Sequence, residues 1–195
     1  MSIEQKKFKR LRKELQFVQS ELDYVLEVLK EWHLEFENYH RQYCKNKGID
    51  LDELNKQNGK KVDRIIPKPV KKKTGLVIYG DNKEEKIFKK IYKQIAKKLH
   101  PDIGGDEEEF KKATGAMSEK NLEKLLDICD RHVILLEIDK ELIKTLEKQI
   151  SETKDKIKKE KSTYSWMLYS CASDKCKINV IKKFLKHLFD YEEKQ

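Results

Sequence analysis

The chain has 195 residues, room for one ordinary domain or for a small domain carrying an elongated element. Charged residues make up 41% and hydrophobic ones only 37%, yet 8 Tyr, 7 Phe and 2 Trp exclude a fully disordered polymer. The net charge of +9 is local: residues 56–98 hold 15 Lys or Arg against 4 Asp or Glu, so an acidic partner is expected to dock there.

Only 7 Gly and 3 Pro punctuate the chain, which points to long helices and an all-α fold. From Phe8 the apolar residues step 3-4-3-4 through Leu11, Leu15, Val18, Leu22, Val25, Leu29, Trp32, Phe36 and Tyr39 to Tyr43. That spacing predicts a coiled-coil helix within residues 1–47, with Gly48 as its C-terminal cap. Residues 48–82 read as a basic linker with Pro67, Pro69 and a Lys71–Lys73 run, and with a short extended piece at 76–79. Residues 118–161 contain no Gly or Pro and read as a second long helix, starting from an N-cap at Ser118. The expectation is that it pairs antiparallel with the first, within one chain, a coiled-coil dimer being the other solution. Residues 162–195 form an aromatic tail ending in an amphipathic helix.

Between the two long helices, residues 83–117 predict a helical hairpin. The helix before Pro101 has an apolar face of Ile87, Ile91, Ile95 and Leu99, with Phe88 and Tyr92 beside it. Lys86, Lys90, Lys93 and Lys97 share another face. Pro101 ends that helix, Asp102-Ile-Gly-Gly turns, and Asp106 caps the next, whose inward stripe is Phe110, Ala113 and Met117. Gly115 weakens this second arm. His100, Pro101 and Asp102 sit at the tip.

These residues resemble the J-domain of the DnaJ co-chaperone family. Its second helix commonly reads Ala-Tyr-Arg-Lys-Leu-Ala-x-Lys-Tyr-His-Pro-Asp; here the run is Ile91-Tyr92-Lys93-Gln94-Ile95-Ala96-Lys97-Lys98-Leu99-His100-Pro101-Asp102. Gly104-Gly105-Asp106-Glu107-Glu108 continues the likeness, which covers residues 83–117. The resemblance implies a protein that performs no chemistry itself. Its partner would be a DnaK-type (seventy-kilodalton heat-shock) chaperone, whose ATPase it stimulates, besides a client protein the sequence does not identify. His100, Pro101 and Asp102 would make the contact, with Lys86, Lys90, Lys93 and Lys97 attracting the chaperone. The hairpin core would be Ile87, Ile91, Tyr92, Ile95, Leu99, Phe110, Ala113 and Met117.

Three departures stand out. The family's opening helix has no counterpart in residues 73–82, the usual Lys after His-Pro-Asp is Ile103, and the zinc repeats of full-length DnaJ are missing. Ser162-Thr163-Tyr164-Ser165-Trp166 is similar to an element of small J-domain proteins of large viruses and phages, which implies a host-cytosol location.

Two other readings use the same residues. One is a structural coiled-coil (virion) protein with a relic hairpin; the other is a nucleic-acid-binding protein using the lysines on phosphates. An enzyme is not expected, since no Ser, Cys or second His joins His100 at a fixed spacing. The four cysteines, with no C-x-x-C, predict free thiols and no metal, and no cofactor is implied. His33, His40, His132 and His187 are expected on helices. No apolar run approaches the ~20 residues of a membrane span, and the first ten residues lack a signal-peptide core, so a cytoplasmic location is expected.

Overall fold

Many of the helix ends among the described residues rest on a nameable local device. The computed structural model describes residues 2–65 and 83–192, and among them it is all-helical, without a strand. Helix α1 spans Ile3–Lys47. It opens with a reciprocal pair in which the Ser2 amide donates to Gln5 Oε1 at 2.8 Å and the Gln5 amide to Ser2 Oγ at 3.1 Å. It closes at Gly48, φ +66°, where the Ile49 amide reaches back to the Cys44 carbonyl at 2.9 Å.

Helix α2 (Leu51–Ile65) follows at once, capped by Asp50 Oδ1 on the amides of Asp52 and Glu53. The expected linker therefore starts with a helix: the Asp50 cap and the first-turn acids Asp52 and Glu53 support it at its positive end. The expected extended piece at 76–79 and the Lys71–Lys73 run lie outside the described residues.

The hairpin consists of α3 (Lys83–Leu99), a short 3₁₀ turn (Pro101–Ile103) and α4 (Glu107–Ser118). The expected long helix over 118–161 is not formed. Ser118 ends α4 rather than starting a helix, α5 covers Leu122–Arg131 and α6 covers Lys140–Lys161. Both interruptions occur without Gly or Pro. Lys120 (φ +51°) and Val133 (φ +50°) take the left-handed conformation, and Asn121 and Asp139 then cap the following helices. The tail forms α7 (Tyr164–Tyr169) and α8 (Asp174–Phe189), capped by Thr163 and Ser173.

The chain divides into two compact units, one of residues 1–22 with 77–156 and the other of residues 23–76 with 157–195. In the first, α3, α4 and α5 pack on one another around Phe88, Ile95, Leu122, Leu125 and Ile128. Arg12 of α1, only 6% exposed, meets Asp130 at 3.2 Å and Glu123 at 3.6 Å on α5. Ion pairs join Lys7 to Glu147 (2.8 Å) and Glu14 to Lys154 (2.6 Å). Both helices advance in the same sense between these pairs, so α1 and α6 run parallel here, not antiparallel. The side-chain spacing that suggested pairing specifies a face and carries no direction.

In the second unit Phe36, Cys44 and Ile49 pack with Leu168, Val180, Ile181 and Leu185. Phe36 and Tyr164 both meet Phe184 edge-on, at 5.0 and 5.4 Å between ring centroids. Cys171 and Cys176 form a disulfide, which corrects the expectation of free thiols; the Ser173-capped turn into α8 brings their Cα atoms to 5.5 Å. Cys44 and Cys129 are free and buried, and burial pushes the Cys129 thiol up to about 12. No helix among the described residues is long and apolar enough to cross a membrane.

Candidate functional site

The α3–α4 hairpin presents its tip through a stack of constraints that begins with Pro101. Proline disfavours the helical region for its predecessor, and His100 sits at φ −63°, ψ 133°, which ends α3. Pro101 takes the first position of the 3₁₀ turn, where no backbone N–H is needed. The His100 carbonyl accepts from the amides of Ile103 and Gly105, each at 3.1 Å, and the Pro101 carbonyl from Gly104 at 2.9 Å. Gly104 closes the turn at φ +75°, a conformation that favours glycine. Gly105 is required for a different reason: a Cβ there would lie 2.3 Å from the Leu99 carbonyl carbon, so the loop is seated against the backbone end of α3. Asp106 then caps α4, accepting from the amides of Glu108 and Glu109 at 3.0 Å each.

His100 is held from two sides. Its Nδ1 accepts from the Asp102 amide at 3.2 Å, which puts the proton of the neutral ring on Nε2. Its ring stands edge-on to Phe110 at 4.9 Å, and Phe110 lies 6.0 Å from Tyr92, whose hydroxyl pairs with Thr114 Oγ1 at 3.0 Å. The Asp102 side chain is 85% exposed and Pro101 is exposed. The tip is thus a fixed backbone turn with a positioned imidazole and an exposed carboxylate, whose Oδ2 lies 3.4 Å from His100 Nδ1.

Of the hairpin residues singled out in the sequence, Ile87, Ile91, Ile95, Leu99 and Ala113 are buried, while Tyr92, Phe110 and Met117 are half-buried. Phe88 and Ala116, which sequence spacing set aside, are buried as deeply. The lysine row divides. All four lysines are exposed, and Lys90 Nζ donates to Glu137 at 2.9 Å and Asp139 at 3.0 Å, hydrogen bonds that raise its pKa, while Lys93 and Lys97 have no carboxylate partner among the described residues. Lys98 Nζ donates to the His132 carbonyl at 2.5 Å.

A second cluster fastens the foot of α4 to α5. Glu109, 7% exposed, receives Arg131 at 2.6 Å, Lys112 at 3.0 Å and His132 Nε2 at 3.4 Å. The hydrogen bonds from Arg131 and Lys112 hold its carboxyl down at about 2. Contrary to the sequence expectation, His132 is not on a helix but in the turn that closes α5. Nothing in the spacing of Glu109 and Arg131 announces this cluster; the only signal is an acid at the third position of α4, where it also meets the helix dipole.

Among the described residues no group of three or more His, Cys, Asp or Glu is placed to hold a metal ion. No family model, no curated protein and no solved structure matches the chain.

Proposed function

We propose that the chain is a J-domain co-chaperone, which docks on an ATP-bound DnaK-type chaperone and stimulates that chaperone's ATP hydrolysis. The observation that supports this is the exposed His100-Pro101-Asp102 turn, fixed at the tip of a two-helix arm by Gly105 and Phe110. Such a tip makes short polar contacts without reorganising on binding, which lowers the cost of association. Exposed Lys86, Lys93 and Lys97 on α3 supply long-range attraction to an acidic surface. On this reading the chain does no bond chemistry of its own, shares the cytosol with the chaperone and brings a client to it.

The test is single-turnover ATP hydrolysis by a DnaK-type chaperone, with and without the protein. His100→Gln is expected to abolish stimulation while circular dichroism stays helical and the melting temperature falls only modestly, since the half-buried ring gives up its contact with Phe110. Asp102→Asn, at a side chain 85% exposed, is expected to abolish stimulation at an unchanged melting temperature, because exposed positions usually cost within about 0.5 kcal/mol. Equal stimulation by wild type and variant removes the co-chaperone role and leaves the hairpin as structure alone.

A further inference from the structure

Between α5 and α6, residues 132–139 read His-Val-Ile-Leu-Leu-Glu-Ile-Asp and belong to no helix. Exposure alternates along them. Val133 and Leu135 are 75% and 89% exposed and Glu137 is exposed, while Ile134, Leu136 and Ile138 are half-buried. That is the period of a strand with one face packed. The inward face is specific: Leu136 lines a small cavity together with Ile87, Ile91 and Leu142, and Ile138 faces an open groove lined also by Phe8 and Arg12.

The stretch is held in place at its ends, while the amides of its middle are unpaired among the described residues. It leaves α5 through the Ile134 amide on the Cys129 carbonyl (2.8 Å) and the Val133 amide on Asp130 (3.2 Å). Lys98 fixes the His132 carbonyl, and Lys90 fixes Glu137 and Asp139. The amides of Leu135, Leu136, Glu137 and Ile138 have no hydrogen-bond partner among the described residues. Val133 holds φ +50°, a conformation costly for a β-branched residue, in the turn that closes α5, and its apolar side chain is left exposed.

We propose that residues 133–138 are a docking edge for an extended apolar segment of a partner protein carrying acidic flanks, bound by strand addition. Unpaired main-chain groups give such a segment its hydrogen bonds, and Val133 and Leu135 give its alternate side chains apolar contact. The charge condition comes from α3. Lys93, Lys97 and Lys98 are exposed and have no carboxylate partner among the described residues; Lys97 is two turns from Lys90, which grips the stretch. A second copy of the chain, at +9, would bring the same cations against them and is disfavoured. This inference stands apart from the co-chaperone reading, since it uses neither His100 nor Asp102.

The experiment uses the full chain, isotope-labelled for amide spectra, and a fluorescent peptide Glu-Glu-Val-Thr-Val-Thr-Val-Glu-Glu. The peptide is expected to bind with a shift of the Leu135–Ile138 amides and slowed exchange of one alternate pair, Leu135 with Glu137 or Leu136 with Ile138. Leu135→Asp is expected to weaken binding about tenfold or more at an unchanged melting temperature, and His100→Gln to bind as wild type. A peptide with proline at its central valine is expected not to bind. Equal binding of that proline peptide reduces the effect to charge and overturns the proposal. So do amides already protected in the free monomer, and so does concentration-dependent dimerisation that protects them without peptide.

Discussion

Two glycines of the hairpin make opposite demands although they sit ten residues apart. At Gly105 an added Cβ runs into the Leu99 backbone, whereas at Gly115, inside α4, it meets nothing within 4 Å. Gly105→Ala is therefore expected to displace the His100–Asp102 turn, lowering the melting temperature and any chaperone stimulation together. Gly115→Ala is expected to stabilise by about 0.5–1 kcal/mol, read from chemical denaturation, by removing freedom from the unfolded chain. Glu109 gives a pH signature. Its carboxyl is held at about 2 in the fold against the ordinary 4.5, so its contribution is complete above about pH 4.5 and is lost as pH falls from there towards 2. Melting curves recorded from about pH 5 to pH 2 should fall less steeply for Glu109→Gln than for wild type, and identical slopes would show that the cluster carries no linked stability. Both residue-scale features were hard to see in the sequence. A Gly-Gly pair announces a turn, but only the path of Leu99 tells which glycine is irreplaceable by contact and which by φ.

At the scale of elements, legibility depended on what ends a helix. α1 was readable because an unbroken 3-4 spacing leads to Gly48, a residue that favours the left-handed cap. The breaks at 119–121 and 132–139 were not, because Lys120 and Val133 do the same work without being glycine, and no propensity rule marks them. α3 was readable as a helix, yet its lysine row was not readable as a set: the acids that claim Lys90 lie 47 and 49 residues on. A charge-reversal series now separates the two uses. Lys93→Glu with Lys97→Glu is expected to slow chaperone association about tenfold at low salt, with an unchanged melting temperature and an effect that shrinks as salt rises. Lys90→Glu is expected to lower the melting temperature as well, since it sets a third carboxylate beside Glu137 and Asp139. Stopped-flow association and thermal melts decide this; equal thermal effects of the two sets would show that Lys90 is not structurally engaged.

For the molecule as a whole, the all-helical class followed from composition, but direction did not. Within the first unit, Lys7 faces Glu147 and Glu14 faces Lys154, a register visible only once α5 and the 132–139 stretch have turned the chain round. A short amine-reactive cross-linker at low protein concentration is expected to join Lys6 or Lys7 to Lys144 or Lys148, and Lys13 to Lys154. Links from Lys6 or Lys7 to Lys156 or Lys158 instead would restore the antiparallel order. The disulfide was equally hidden, because the separation of Cys171 and Cys176 by five residues fits paired and free thiols alike until the turn before α8 is known.

The parallel run of α1 and α6 also has a consequence for biosynthesis. Residues 1–22 emerge from the ribosome well before their partners in the same unit, which extend to residue 156. At roughly 5–20 residues per second, the seam of Leu11, Leu15, Val18 and Leu22 waits on the order of ten seconds before α6 is complete. During that interval an apolar helix stripe is open to the surrounding proteome. Slowing translation between codons 22 and 156 lengthens the exposure of this stripe to misassembly.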